Sequence, residues 1–282
     1  MIVVLSTPTE PLESTSNSCT DAQLTVLSPL DLAFVTGALQ TAGCVAAGEE
    51  AQELTRAAPS DSALLSMLDR RLTGEPLAWI TGTARFCGMD IAVVPGVYVP
   101  RWQSEPLALG AARLLPPSGL GVDLCTGTGA IAMVMKSWRP HAGVMATELD
   151  HVAAQCAQRN GVEVFEGDLD EPLPVELESQ VDVMVGVLPY VPTDALHLLP
   201  RDVQSFEPRQ ALDGGEHGLE LMAKVIGRSP RWIKPGGWLL LEVGGNQLPE
   251  VGTLLDKAGF GELAELRDQD GDPRGICARL DP

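Results

Sequence analysis

A glycine-rich turn after an apolar stretch is the part of this sequence whose residue types and spacing most clearly predict chemistry. Val122 to Leu124 have the pattern of a buried strand, and Cys125-Thr126-Gly127-Thr128-Gly129 follow directly, ahead of a helical pattern. Glycines let a backbone approach a ligand closely, and the first turn of a helix presents unpaired N–H groups. The segment therefore predicts a site for a nucleotide-like cofactor. We expect Asp123 to fix the turn by hydrogen bonding to its amides.

Two further carboxylates follow the next predicted strands. Glu148, with Leu149 after it, stands at the end of the second strand, where a carboxylate can accept hydrogen bonds from both hydroxyls of a ribose. Asp168 and Leu169 follow the third strand, where a carboxylate can face an adenine ring. These positions complete a predicted cofactor site.

The glycine spacing leaves two cofactors open. Gly127-x-Gly129-x-x-Ala132 also fits the dinucleotide fingerprint, so a NAD-dependent oxidoreductase is one alternative. The acid after the third strand, together with an antiparallel pair of strands predicted at the end of the sheet, favours S-adenosylmethionine. We therefore expect a methyltransferase.

The elements that position these residues alternate between strand and helix after Pro100, which predicts a mostly parallel sheet with helices on both faces. The predicted strands are Leu120 to Leu124, Gly143 to Thr147, Val162 to Phe165, Val181 to Val185, Trp238 to Val243, and a pair near Leu263 and Ile276. The predicted helices are Gly129 to Trp138, His151 to Asn160, Gly218 to Ile233 and Leu248 to Ala258. The fold class is α/β, a Rossmann-like sheet of the class I methyltransferase type.

The segment before Pro100 has a different organisation. Residues 1–20 predict a disordered leader, and apolar residues at helical spacing predict a small helical domain over residues 21–76. Short β-branched runs at Ile91 to Val94 and Val97 to Val99 predict a linking β-hairpin within residues 77–100. The catalytic domain is then expected over residues 101–282.

Composition excludes several classes of protein and partner. Lysine and arginine total 19 against 38 acidic residues, a net charge of −19, which argues against a nucleic-acid-binding surface. The sequence has no stretch of about 18 uninterrupted apolar residues, so no membrane span is expected. The six cysteines are scattered singly, without the spacing of metal ligands, and no metal is predicted. The start of the chain lacks a signal-peptide pattern, so we expect a cytoplasmic protein; its oligomeric state stays open.

Several separate motifs resemble one known family from about Arg71 to the end of the chain. The motifs are Gly74-Glu75-Pro76-Leu77-Ala78-Trp79-Ile80-Thr81-Gly82, Phe86-x-Gly88, Pro100-Arg101-x-x-Ser104-Glu105, Phe206-Glu207-Pro208-x-x-Ala211-Leu212-Asp213-Gly214-Gly215-x-x-Gly218-Leu219, Lys234-Pro235-Gly236-Gly237, Glu242-Val243-Gly244 with Gln247, and Asp268-x-x-Gly271-x-x-Arg274. They resemble the HemK/PrmC family, which methylates the side-chain amide of a glutamine in peptide chain release factors. The resemblance implies S-adenosylmethionine as cofactor, a protein substrate, and a helical substrate-recognition domain before the catalytic domain.

The chain departs from the family at its catalytic signature, Asn-Pro-Pro-Tyr. Here the same positions are Val187, Leu188, Pro189 and Tyr190. In the family the asparagine oxygen and a neighbouring backbone carbonyl accept hydrogen bonds from the target NH₂, while the aromatic ring packs against the substrate. Val187 has no side-chain acceptor, which costs about 1–3 kcal/mol if an amide donor is left unpaired, or roughly tenfold to over a hundredfold in rate. The carbonyl of Leu188 and the ring of Tyr190 are still able to serve.

This departure leaves three outcomes open: weaker glutamine methylation, a changed acceptor, or cofactor binding without catalysis. We favour a changed acceptor, because the cofactor turn is intact. The acceptor is then a side-chain nitrogen of a protein or a related specialised substrate, and the alternatives are a non-catalytic binding or scaffold protein and a small-molecule N- or O-methyltransferase. Arg101 and Glu207 are candidate substrate contacts, although a salt bridge between loops explains them equally well. His197 and His217 are expected to face solvent.

Overall fold

A computed structural model of the protein describes residues 29–282. The described residues form two compact units, residues 29–81 and Gly82–Pro282. The predicted leader, residues 1–20, and residues 21–28 of the predicted helical domain lie outside this range. The boundary at residue 81 differs from the predicted one at residue 76.

The first unit is a bundle of four helices. They are α1 (Pro29–Thr41), α2 (Ala47–Ala57), α3 (Asp61–Leu72) and α4 (Leu77–Thr81). Val35, Leu39, Leu54 and Leu68 are among the buried side chains that form its core. Helix α4 lies where the sequence analysis placed the beginning of the hairpin. The helix forms there because the backbone N–H groups of Trp79 and Ile80 donate hydrogen bonds to the carbonyl of Pro76.

A two-stranded hairpin opens the second unit. Its strands are β1 (Thr83–Phe86) and β2 (Met89–Ala92), joined at Cys87 and Gly88. Both turn residues have positive φ, 48° and 77°, as a two-residue turn that follows the right-handed twist of the strands requires. The hairpin therefore ends at Ala92, and the predicted strand from Val97 to Val99 does not form.

The second unit is built on a seven-stranded sheet. Its strands are β3 (Leu120–Leu124), β4 (Gly143–Glu148), β5 (Glu163–Glu166), β6 (Val181–Gly186), β7 (Ile233–Glu242), β8 (Phe260–Arg267) and β9 (Pro273–Leu280). The strand order is β5-β4-β3-β6-β7-β9-β8, and β9 runs antiparallel to both of its neighbours. The predicted α/β class and the antiparallel pair at the end of the chain are confirmed. Strand β3 pairs with both β4 and β6, so a crevice is expected at the carboxyl ends of these strands.

Six α-helices accompany the sheet in the part of the chain that the structure describes. They are α5 (Glu105–Leu114), α6 (Ala130–Trp138), α7 (His151–Arg159), α8 (Arg201–Phe206), α9 (Glu220–Arg228) and α10 (Leu248–Lys257). Helix α5 was not predicted, because its buried face consists largely of alanine and glycine. A Cβ atom on its Gly110 would lie 3.3 Å from side-chain atoms of Leu240 and Leu266, so the small residue permits close packing on the sheet. None of the described helices is long and apolar enough to cross a bilayer.

Candidate functional site

A cavity of about 900 Å³ lies at the carboxyl ends of the central strands. The predicted site residues that line it are Asp123, Cys125, Thr126, Gly127, Thr128, Glu148, Leu149, Asp168, Leu169, Val187, Leu188, Pro189, Tyr190 and Arg101. Gly129 and Glu207 do not line it. The predicted cofactor residues and the catalytic signature therefore share one cavity.

The two glycines of the turn have different roles. Gly127 (φ 59°) has nothing within 4 Å of the position a Cβ atom would take, so its backbone faces open space in the cavity. At Gly129 (φ 82°) a Cβ atom would lie 2.8 Å from Val162 Cγ2 and 3.1 Å from Ala157 Cβ. Gly127 thus leaves room for a ligand, whereas Gly129 lets α6 begin close to α7.

Asp123 fixes the turn from within the core. Its Oδ2 accepts hydrogen bonds from the Thr126 hydroxyl at 2.6 Å and from the backbone N–H of Ala132 at 3.2 Å. The side chain is only 1% exposed, and this burial raises the pKa of Asp123 from 3.8 to about 7. The carboxyl group therefore positions the turn through one side-chain hydroxyl and one helix amide.

The raised pKa of Asp123 predicts a specific pH dependence of stability. Between pH 3.8 and about 7 the folded protein holds a proton at Asp123 that the unfolded chain has lost, so this contribution to stability falls as pH rises through that window. We expect the free energy of unfolding of the wild type, relative to Asp123→Asn, to fall by roughly 2–3 kcal/mol between pH 5 and pH 8. Urea denaturation of both proteins at the two pH values measures it. A pH-independent difference would contradict the assignment.

Glu148 is held by three backbone amides at the end of β4. Its Oε2 accepts from Gly127 N at 2.8 Å, and its Oε1 accepts from Leu149 N at 2.9 Å and Asp150 N at 3.0 Å. Burial raises the pKa of Glu148, and these three hydrogen bonds oppose the shift. A carboxylate has about four acceptor positions, so in this arrangement one remains for a ligand hydroxyl rather than the two that the sequence analysis assumed.

The residues of the catalytic signature follow β6 and differ in their surroundings. Val187 is half-buried and packs against the apolar cluster on one face of the sheet. Leu188 is 1% exposed and belongs to the core on the other face. The Tyr190 hydroxyl donates to Glu242 Oε1 at 3.0 Å, and burial, followed by the charge of Glu242, raises the pKa of Tyr190. Tyr190 thus lines the cavity with its hydroxyl held by β7.

A glycine loop and one glutamine hold the backbone around Tyr190. Val191 N donates to Leu212 O at 3.0 Å, and Gly214 N donates to Val191 O at 2.8 Å. A Cβ atom on Gly214 would lie 2.7 Å from Pro189 O and 2.8 Å from Tyr190 Cα, so only glycine fits there without displacement. The Gln247 side chain donates to Tyr190 O at 3.2 Å and accepts from Gly244 N at 3.0 Å. The peptide backbone after Leu188 is therefore fixed from outside the tetrapeptide.

Arg101 and Glu207 form the salt bridge that the sequence analysis considered. One terminal nitrogen of Arg101 lies 2.7 Å and 2.8 Å from the two carboxylate oxygens of Glu207, and Arg101 Nε donates to Tyr98 Oη at 2.9 Å. Burial raises the pKa of Glu207, and the Arg101 charge opposes the shift. Glu207 lies behind the cavity wall, so only Arg101 of this pair is placed to contact a ligand.

The sequence analysis did not assign a site role to several residues of the cavity. Tyr98, Gln103, Glu242 and Arg274 line it. The sequence analysis named Glu242 only as part of a family motif. Its position at the end of a strand next to β6 was the signal that could have placed it in the site. His197 and His217 are exposed, as predicted. Within residues 29–282, no group of three or more histidine, cysteine or acidic side chains is arranged to hold a metal ion.

Comparisons with known proteins identify similar chains. The release factor glutamine methyltransferase of Geobacter sulfurreducens is 36% identical over 225 residues, covering 78% of this chain and 78% of that protein. The protein of the same name from Moorella thermoacetica is 37% identical over 202 residues, covering 68% of this chain and 70% of that protein. No family model matches the chain. A solved methyltransferase from Pyrococcus furiosus superposes with a TM-score of 0.52 at 18% identity, covering 77% of this chain and 99% of that one, which is a likeness of fold.

Proposed function

Because the chain belongs to the family of release factor glutamine methyltransferases, we propose that it transfers a methyl group from S-adenosylmethionine to the side-chain amide of a glutamine in a protein. The observation that carries this proposal is the single cavity, which joins the glycine turn and Glu148 to Tyr190. Methyl transfer needs the donor and the acceptor nitrogen in line, and one continuous cavity allows this. A cytoplasmic location and a protein partner accompany the proposal.

The residues around the glycine turn fit the methyl donor. The open space at Gly127 admits a ligand against the backbone, and Glu148 has an acceptor position left for a ribose hydroxyl. Asp168 lines the same region and is a candidate contact for the adenine ring. When bound, S-adenosylmethionine supplies a methyl group on a positively charged sulfur. The carboxylates of this half of the cavity favour that charge.

The other half of the cavity orients the acceptor. The ring of Tyr190, fixed by Glu242 and by the backbone hydrogen bond from Gln247, offers a rigid platform for a planar side chain. Arg101 is partly exposed at the cavity wall and held by Glu207 and Tyr98, so it is able to donate to a carbonyl oxygen of a substrate. The chain's own task is thus to orient the acceptor nitrogen and to exclude water from it.

Val187 favours a second candidate function. Its side chain has no hydrogen-bond acceptor, so this position does not distinguish an amide from an amine or a hydroxyl group. The same fold would then methylate another nucleophile in a specialised protein or small molecule. The predicted change of acceptor therefore stays a prediction.

Incubation of the purified protein with S-adenosylmethionine and a glutamine-containing release factor tests both functions. Mass spectrometry of the digested product is expected to show one added methyl group on a glutamine. A release factor with that glutamine changed to leucine is the control, and a panel of lysine, aspartate and serine peptides tests the second candidate. Absence of methyl transfer to any glutamine would rule out the first function.

A further inference from the structure

Two buried oxygen atoms of the cavity residues have no hydrogen-bond partner of acceptable geometry among the described residues. They are Glu242 Oε2 and Gln103 Oε1. Both residues line the cavity that contains Val187 and Tyr190. Glu242 is only 5% exposed, so solvent contributes little to its second oxygen. A buried acceptor left unpaired costs about 1–3 kcal/mol, which a bound ligand with N–H groups would recover.

The surroundings of Glu242 place its second oxygen next to the catalytic signature. Its Oε1 already accepts a hydrogen bond from the Tyr190 hydroxyl at 3.0 Å. Burial raises the pKa of Glu242, while the Ser104 and Tyr190 hydroxyls and the charges of Arg274 and Arg101 lower it. The Ser104 hydroxyl lies near the carboxylate without a hydrogen bond of acceptable geometry to Oε2. Gln103, the residue before Ser104, lines the same cavity. Glu242 Oε2 therefore belongs to the acceptor half of the site, and Gln103 Oε1 is a second unpaired oxygen in the same cavity.

The chemistry of these two oxygens matches a particular kind of nucleophile. A primary amide presents two N–H groups, whereas a hydroxyl presents one hydrogen. As the nitrogen gains the methyl group, the methyl–sulfur bond breaks and S-adenosylhomocysteine leaves. Positive charge develops on the nitrogen until it releases one N–H proton, and a carboxylate that faces the nitrogen stabilises that charge. Val187, in the wall of the same cavity, provides no competing acceptor.

We propose that Glu242, together with Gln103, accepts the N–H groups of a primary amide substrate and so replaces in part the acceptor that is missing at Val187. This inference rests on the proposed glutamine methylation and assigns its substrate-orienting groups. It favours a nitrogen that carries two N–H groups over a hydroxyl as the acceptor of this chain.

Glu242→Gln is the first test, because the glutamine oxygen can keep the bond from Tyr190 while its NH₂ faces the N–H of the substrate. We expect kcat on a glutamine peptide to fall tenfold to a hundredfold and KM to rise by a smaller factor, because the substrate binds more weakly. Adding Val187→Asn to this variant is expected to raise the rate by a larger factor than Val187→Asn raises the rate of the wild type, which a merely structural role of Glu242 does not predict. Glu262→Gln is the surface control, because Glu262 lies on β8 and forms an exposed ion pair with Arg279.

Gln103 provides a second test that does not depend on the folding of the Glu242 variant. Gln103→Glu retains an acceptor and is expected to keep at least a third of the rate, whereas Gln103→Leu is expected to lose more than tenfold. Equal rates for Glu242→Gln and wild type, or for the two Gln103 variants, would overturn the inference while the proposed function stands. If the wild type methylates no glutamine, calorimetry with the glutamine peptide and S-adenosylhomocysteine decides: weaker binding by Glu242→Gln supports the inference, and equal binding overturns it.

Discussion

Val187→Asn is expected to raise the rate of glutamine methylation tenfold or more. The asparagine oxygen adds a hydrogen-bond acceptor on the cavity wall, in the position that the family motif gives to it. An additional hydrogen bond felt only in the transition state, about 1–3 kcal/mol, corresponds to roughly tenfold to over a hundredfold in rate. Steady-state kinetics with a release factor as substrate measure the change, which we expect in kcat rather than in KM.

Val187→Leu is the matched control, because leucine has the shape of asparagine without its polar atoms. It is expected to leave the rate at or below that of the wild type. Leu188→Pro completes the family motif, but it removes a buried side chain from the core, so the double variant is expected to be less stable than Val187→Asn alone. A rate that does not rise in Val187→Asn, or that rises equally in Val187→Leu, would show that position 187 does not limit the reaction.

Glu148→Ala is expected to weaken the binding of S-adenosylmethionine and S-adenosylhomocysteine by roughly tenfold to over a hundredfold, the effect of about 1.5–3 kcal/mol for a hydrogen bond to a charged group. The substitution removes the proposed ribose contact and also frees the amide of Gly127, which the carboxylate fixes at 2.8 Å. Isothermal titration calorimetry with S-adenosylhomocysteine measures the affinity directly and needs no acceptor.

Glu166→Ala is the control for this loss. Glu166 ends the neighbouring strand in register with Glu148, but it is exposed, pairs with His151 and does not line the cavity. Its removal is expected to leave the affinity unchanged. Wild-type affinity in Glu148→Ala, or an equal loss in Glu166→Ala, would remove the ribose assignment.

The sheet was predictable because its strands are short apolar runs closed by glycines and acids. The prediction of β3 at Leu120–Leu124 has the bounds of the structure, and the strands after it differ by a few residues. Helix α5 was missed because alanine and glycine give little hydrophobic periodicity. The start of β7 at Ile233 was missed because Pro235 and two glycines follow, and the structure accommodates them where the pairing with β6 shifts register.

The cofactor half of the site was easier to predict than the acceptor half. Asp123 and Glu148 lie at the ends of the neighbouring strands β3 and β4, and Gly127 follows β3 directly, so local spacing is enough to bring them together. Glu242 meets Tyr190 only through the order of strands in the sheet, and Gln103 lines the same cavity only through the packing of the segment before α5. Such contacts between distant parts of the chain have no signature in spacing, and their unpaired oxygens become evident only in three dimensions.

The backbone at Tyr190 is held by a hydrogen bond from Gln247 and by close packing against the glycines of residues 214–218. The position of this loop therefore depends on the backbone and not on the side chains of the tetrapeptide. Residue 187 carries none of these attachments, so its replacement leaves the loop where it is. We therefore expect substitutions at this position to change the preference for the nucleophile without rebuilding the surrounding architecture. A protein engineer who seeks a methyltransferase for a new acceptor would begin with a library at this one position.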